Sequence, residues 1–348
     1  MPEFVVLDEE DLALAEALQR DPRAPWTTVG EVVGTNAVTA SRRWERLRSI
    51  GAAWVTGAPG PGSPHAQCLA YVDVTCLPSA KTRVAQELAG DPHALSIDIT
   101  AGSSDLLLTV AAVDLRTLGR YLLERLDRVP GVTGTRARIA TRLHAEGSLW
   151  RLGVLPGAVA IGGPLTTARG GPTDTLDREL MSVLGEDGRA SYAALAQATG
   201  TSQPTARRRV ERLVATGAVL LRTEVAAPLA GWPVSVVMSA DAPAGRLDDV
   251  AAGLGRLRQV RLCATLAGTP SLILIAWLAS LDDVHRFEQE LLHTAPDVEV
   301  LDRLVVLRSV KRMGHLLDAD GRAVGAVRMD VWRDPVPSGA TPVGTGCT

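Results

Sequence analysis

Apolar residues recur at Leu176, Leu180 and Leu184, an i, i+4, i+8 stripe that predicts a helix capped by Asp174. Asp187-Gly188-Arg189 breaks it. Ser191 opens a short helix over 192–199 with Leu195 inward, and Gly200 ends it, since glycine takes a left-handed cap without steric cost. Ser202 caps a third helix reaching Thr216, with Pro204 tolerated in its first turn, and Gly217 terminates it. Val219, Leu220 and Leu221 follow as a strand. Helix, short helix, glycine turn, longer helix and strand form a winged helix-turn-helix pattern.

The same pattern stands earlier in the chain at a constant offset of 166 positions, without a gap. Asp8, Asp11, Leu14, Leu18, Asp21 and Arg23 map to Asp174, Asp177, Leu180, Leu184, Asp187 and Arg189. Gly34, Leu47, Gly51, Gly102 and Pro130 map to Gly200, Leu213, Gly217, Gly268 and Pro296. A repeat this long is a duplicated multi-part unit, since solenoid repeats run to about 20–50 residues. The chain is a covalent pseudo-dimer.

Downstream of each helical part the period turns to alternation. Strands are expected at 66–76, 94–100, 105–113 and 132–143, with helices over 79–89 and 115–129. The second copy gives strands 233–240, 260–267, 271–279 and 298–309, with helices 245–257 and 281–294. The order βαββαβ is a ferredoxin-like unit. The strand at 105–113 is apolar on both faces, with Leu106, Leu108 and Val110 opposite Leu107, Ala111 and Val113. Ile273, Ile275 and Trp277 opposite Leu272, Leu274 and Ala276 repeat this. Such strands are buried on both faces, so the sheet of the other copy, or of another chain, must cover them. The fold class is α+β, two tandem copies of a winged helix-turn-helix plus a ferredoxin-like domain. Domains are expected at 1–57, 65–156, 173–223 and 231–330, with a linker at 157–172 and a disordered tail at 331–348.

Composition narrows the picture. Hydrophobic residues make up 46% of the 348, aromatic residues 3%, and the net charge is −3. The cores are therefore aliphatic. The start Met1-Pro2-Glu3 has no signal-peptide character, and no apolar run is long enough to span a membrane. A cytoplasmic, nucleoid-associated location is expected. The four cysteines form no CxxC pair, and no metal or cofactor is expected.

Positive charge is local in this acidic chain. The third helix carries Arg207, Arg208, Arg209 and Arg212 against Glu211, and its counterpart carries Arg42, Arg43, Arg46 and Arg48 against Glu45. Val210 and Leu213, or Trp44 and Leu47, take the core positions. Guanidinium groups meet phosphate oxygens and guanine edges, as a major-groove helix requires. Base contacts are expected from the helix starts: Thr35, Asn36, Ala37 and Thr39, and Thr201, Ser202, Gln203 and Thr205. The site candidates are thus Thr35, Asn36, Thr39, Arg42, Arg43, Arg46, Thr201, Ser202, Gln203, Thr205, Arg207, Arg208 and Arg212 on double-stranded DNA.

This order of motifs resembles the leucine-responsive regulatory protein/AsnC (Lrp/AsnC, feast/famine) family of transcription regulators. The opening Leu7-Asp8-x-x-Asp11-x-x-Leu14 run and Arg208-Arg209-Val210-Glu211-Arg212-Leu213 with Gly217 carry the resemblance. So does Gly102-Ser103-Ser104-Asp105, similar to the family's G-x-x-D turn. The resemblance implies sequence-specific DNA binding, homo-oligomers of at least dimer size through the sheet domains, and an amino-acid or small-metabolite effector at those interfaces. Gly102, Ser103, Ser104, Asp105, Gly268 and Ser271 are the effector candidates it implies. In the second copy the turn is Gly268-Thr269-Pro270-Ser271, so an effector's ammonium group would lose its carboxylate there. Both segments also suit plain β-turns.

Two alternatives remain open. Siroheme decarboxylases resemble the same architecture and also pair two such units. Their basic, histidine-containing stretch is matched here only by His65, and the six histidines form no repeated pair. The other alternative is an effector sensor with one degenerate DNA-binding head, the first, because Pro22, Pro25 and Trp26 replace small and polar turn residues.

Overall fold

The computed structural model describes residues 7–60, 68–156 and 173–336. The linker at 157–172, His65 and residues 337–348 lie outside the described residues. The first unit runs α1 (Glu9–Arg20), α2 (Trp26–Val32), α3 (Ala37–Ser49), β1 (Ala53–Pro59), β2 (Cys68–Cys76), α4 (Lys81–Ala89), β3 (Ala94–Ala101), β4 (Leu106–Ala112), α5 (Leu115–Arg120) and β5 (Val132–Ala145). The second repeats it as α6 (Thr175–Glu186), α7 (Tyr192–Ala198), α8 (Gln203–Ala215), β6 (Val219–Val225), β7 (Val234–Asp241), α9 (Leu247–Leu254), β8 (Val260–Leu266), β9 (Leu272–Leu278), α10 (Asp283–Thr294) and β10 (Glu299–Arg312). Two short strands, β11 (His315–Leu317) and β12 (Ala323–Ala326), extend β10. Among the described residues no helix is long and apolar enough to cross a membrane.

The repeat emerges as a pseudo-two-fold. The strand after each third helix pairs with its own counterpart, β1 against β6, and Thr56 lies opposite its equivalent Arg222. In β5–β8, Ala140 faces Leu266 and Leu143 faces Ala264. The equivalent residues face each other in β10–β3, where Val306 meets Thr100 and Ser309 meets Asp98. Contacts that repeat under exchange of copies define an isologous interface, here made within one chain.

These cross-copy ladders join the two ferredoxin-like sheets edge to edge on both sides. The hydrogen-bonded order β10-β3-β4-β2-β5-β8-β9-β7 returns to β10 and forms a closed ring. The doubly apolar strands thereby find both partners. Leu106, Leu108 and Val110 face α4 and α5 through Val84, Leu88 and Leu118. Leu107 points into the ring with Tyr71, Val237, Ile273 and Leu304. The cover demanded by the sequence is thus the chain's own second copy. It comes as a shared ring, because closure also satisfies the strand edges that two merely stacked sheets would expose.

Two stretches differ from expectation. The helix expected over 115–129 is α-helical only to Arg120, then π-helical over Tyr121–Arg125 and 3-10 over Leu126–Arg128. The change of pitch accompanies Tyr121 and Arg125 meeting Asp91, the Tyr121 hydroxyl donating at 3.0 Å and Arg125 pairing at 3.0 Å. The tail expected to be disordered from residue 331 packs against the first copy over its described part, 331–336. Val113 N–H donates to Val331 O at 2.9 Å, and the Val331 side chain is buried. Composition misjudged a segment that packs through its backbone.

The β1–β6 ribbon meets the ring at a buried charge cluster. Glu224 is fully buried and pairs with Arg222 and, at 2.8 Å, with Arg261. Arg261 also lies over the Trp277 ring at 4.1 Å. The equivalent positions in the other half are Thr56, Ala58 and Leu95, and Ala58 and Leu95 pack in an apolar cluster with Met313 and Val331. Burial alone would raise the Glu224 carboxyl, but Arg222, Arg261 and Arg312 bring it down to about 2. A depressed carboxyl contributes stability that is full above its unfolded value of roughly 4.3 and lost as pH falls through the folded value. Glu224→Gln, which leaves two buried guanidinium groups underpartnered, should cost about 3–5 kcal/mol at pH 7. Its denaturation midpoint should also change less between pH 5 and pH 2 than that of the unmodified chain. Equal pH profiles for the two proteins would remove Glu224 from this role.

Candidate nucleic-acid interface

Helices α3 and α8 begin alike. Asn36 Oδ1 accepts the Thr39 N–H at 2.9 Å, and Ser202 Oγ accepts the Thr205 N–H at 3.3 Å. Ala40, Trp44 and Leu47, or Ala206, Val210 and Leu213, are buried. That stripe leaves Thr35, Asn36, Ser202 and Gln203 exposed, and Thr39, Thr201 and Thr205 half-buried at the helix starts.

The arginines divide into three groups. Arg43 bonds Asp8 and Asp11 at 2.9 Å each, and Arg46 meets Asp11 at 2.6 Å. In the second copy Arg209 meets Asp174 at 2.6 Å and Asp177 at 3.0 Å, while Arg212 also pairs with Asp177. Asp8 with Asp11, and Asp174 with Asp177, are the capping boxes that open α1 and α6. Arg209 beside it holds the Asp174 carboxyl below the usual range. Arg43, Arg46, Arg209 and Arg212 therefore clamp the third helix of each head onto the first. Arg48 and Arg207 pair along their own helices with Glu45 and Glu211, at 2.9 and 2.8 Å. Arg42 and its equivalent Arg208 are exposed and make no hydrogen bond or ion pair with other described residues. Arg43, Arg46 and Arg212, expected on DNA beside Arg42, Arg207 and Arg208, are thus engaged by acids of the neighbouring helix, which a helix taken alone does not show. The recurrence of Asp8 and Asp11 as Asp174 and Asp177 was the available signal.

The two heads are held together by an exchange of arginines. Arg23 donates to Gly188 O at 2.7 Å and Ala190 O at 3.1 Å, and Arg189 donates to Pro22 O and Ala24 O at the same two distances. Arg23 lies over the Tyr192 ring at 4.9 Å and Arg189 over Trp26 at 4.1 Å. Pro22 and Trp26, two of the three residues that with Pro25 suggested a degenerate first head, thus form the surface on which the second head docks.

The two sheet-domain turns are structurally equivalent. Asp105 Oδ2 accepts the Cys76 N–H at 2.7 Å, and its other oxygen pairs with Lys81. At the equivalent place Ser271 Oγ accepts the Ala242 N–H at 3.1 Å. Serine thus takes over the backbone bond that aspartate makes in the first copy. Gly102 has φ +138, and a Cβ there would stand 2.6 Å from Leu304 Cδ2; Gly268 has φ +116 in open space. Ser103 bonds Asp302 across the copies, and Ser104 is buried beneath the turn.

Comparison with known proteins agrees with this duplication. The AsnC-type helix-turn-helix domain matches residues 7–48 and 174–214. The Lrp/AsnC ligand binding domain matches residues 69–149 and 235–316. The chain is 28% identical over 144 residues to an uncharacterised HTH-type transcriptional regulator of Pyrococcus horikoshii, covering 41% of this chain and 91% of that protein. It is 29% identical over 139 residues to the HTH-type transcriptional regulator AldR of Mycolicibacterium smegmatis, covering 38% of this chain and 80% of that protein. Each of these relatives corresponds to one unit. Across both units, the solved structure of the siroheme decarboxylase NirDL is similar, with a TM-score of 0.57 at 12% identity, covering 88% of this chain and 93% of that one. At that identity the likeness concerns fold alone.

The turn geometry makes a stability test of Asp105. Asp105→Ala should cost about 1 kcal/mol or somewhat more, the usual loss when a backbone donor loses its side-chain acceptor. Asp105→Ser should recover part of that, because the second copy already uses serine. Chemical denaturation would read both, and a serine variant no better than alanine would contradict the equivalence.

Proposed function

The chain belongs to the Lrp/AsnC family of transcription regulators, and from that membership we propose that it grips double-stranded DNA with α3 and α8 as two covalently joined reading heads. The observation that carries this reading is the equivalent pair Arg42 and Arg208. They are exposed and uncommitted on helices whose other arginines are largely neutralised by neighbouring acids. Free guanidinium groups at matching places supply phosphate contacts, while Thr35, Asn36, Thr39, Thr201, Ser202, Gln203 and Thr205 at the helix starts supply base contacts. Arg43, Arg46 and Arg212 act in this reading by orienting the heads. Arg207, bonded only along its own helix, turns to phosphate when DNA arrives. The heads differ in sequence at their helix starts, so the operator is an imperfect palindrome with unlike half-sites.

The protein works in the cytoplasm, in this reading, as a regulator without enzymatic activity. A small metabolite such as an amino acid tunes it at the sheet-domain turns, through Gly102, Ser103, Ser104, Asp105, Gly268 and Ser271. Because Asp105 is engaged by Cys76 and Lys81, an ammonium group there competes with an existing ion pair. Further copies of the chain assemble through outer surfaces, since the inner sheet faces are already covered.

The test is fluorescence anisotropy with DNA from the chain's own promoter, titrated over a range of salt. Arg42→Ala and Arg208→Ala should each weaken binding to all sequences and reduce the slope of log affinity against log salt by about one. Unchanged affinity and slope in the double variant would overturn the interface. Decarboxylation of added siroheme by the intact chain would overturn the regulator reading itself.

A further inference from the structure

We infer that the groove between the connector at 144–153 and the C-terminal end of α9 binds a small organic anion, a carboxylate carried on an apolar body. The assignment stands apart from DNA binding and from the sheet-domain turns. The groove is a cavity of about 760 Å³, within the range of small-molecule sites.

Its charge is unbalanced. Arg151, Arg256 and Arg258 all line it. Arg151 is half-buried and donates to the backbone oxygen of Trp150 at 2.8 Å and to that of Ser148. Arg258 donates to Leu152 O at 3.3 Å and lies 5.6 Å from the Trp232 ring centre. Arg256 is exposed, and its side chain bonds nothing among the described residues. None of the three has a carboxylate partner among the described residues, although most other described arginines do. The acid in the wall, Glu146, is committed to Arg222 at 3.5 Å and to the Ser148 hydroxyl.

His144 also belongs to the wall, and its Nε2 lies 3.4 Å from Asp248 Oδ1, which pairs with Arg142 at 2.9 Å. That carboxylate stands outside the lining and leaves the charge of the groove unbalanced. An anion in the groove meets guanidinium groups with no acid of their own, and Leu149, Trp150 and Leu257 provide the apolar wall for the rest of the ligand.

The groove belongs to one half of the pseudo-dimer. The positions equivalent to Arg256 and Arg258 are Gly90 and Pro92. There the C-terminal segment lies instead, with Asp330 N–H on Pro92 O at 3.3 Å and Arg333 O on His93 Nε2 at 3.0 Å. The connector that forms the groove's wall is also strapped to the first head. Glu16 Oε2 accepts Val154 N–H at 2.6 Å and Leu155 N–H at 3.0 Å, and Gln19 accepts Leu152 N–H at 3.0 Å. An occupant therefore touches a strap that the first head holds.

The probe is 4-iodobenzoate, with the neutral 4-iodobenzamide as its counterpart, and the readout is heavy-atom quenching of tryptophan fluorescence in the full chain. Trp150 lines the groove and reports occupancy. The acid should quench saturably and the amide should not. Arg256→Glu should raise the apparent dissociation constant about tenfold, the scale of one charge-assisted contact. Its thermal unfolding should be unchanged, since Arg256 holds nothing. Arg116→Glu, an exposed arginine elsewhere, should bind as the unmodified chain does. No saturable quenching by the acid, equal quenching by the amide, no effect of Arg256→Glu, or an equal effect of Arg116→Glu would each overturn the assignment.

Discussion

Neither ferredoxin-like sheet can bury its apolar inner face without the other. β4 and β9 are apolar on both faces, and burying each large aliphatic side chain is worth about 1.5–3 kcal/mol. The long strands β5 and β10 reach across to β8 and β3 and close the ring. This satisfies the inner faces and the strand edges together. The same two-fold then fixes the ribbon, with Thr56 opposite Arg222, and the heads above it, with Arg23 and Arg189 exchanged. One relation, repeated at three levels, carries the reading helices.

Joining the copies in one chain releases them from identity. A homodimer must place the same side chain on both sides of its axis. Here Arg222, Glu224 and Arg261 occupy one half of the junction, and Thr56, Ala58 and Leu95 occupy the other. The connector at 144–155 and the C-terminal segment at 323–336 fill equivalent places with different chemistry. The first leaves a cationic groove, and the second seals its side with Met329 and Val331. The buried charges join head to ring through directional bonds, so the ribbon cannot shift against the ring without breaking a pair buried away from water.

The arginines on α3 and α8 show how one residue type serves different ends. Those whose side chains reach the capping boxes of α1 and α6 turn inward and set the angle between helices. Arg42 and Arg208, one position away, pair with no acid, since Glu45 and Glu211 on the same helices are taken by Arg48 and Arg207, and they stay available. Charge counting along a single helix does not separate these fates, because the deciding partners stand more than thirty positions earlier in the chain.

The units and their order are legible from short-range sequence alone. The stripe Leu176, Leu180 and Leu184, the caps Asp174, Ser191 and Ser202, and the glycines that stop each helix act over a few residues, so local chemistry writes them plainly. Doubly apolar strands likewise announced that a cover was needed. What covers them, where the helix after Asp114 changes pitch, that residues 331–336 pack down, and which arginines remain free are set by long-range contacts. Each of those outcomes depends on a partner brought close by the ring or the pseudo-two-fold: Asp91 for Tyr121, Val113 for Val331, Asp11 and Asp177 for their arginines. A chain spells out what each residue prefers beside its neighbours, and folding chooses which distant group it meets.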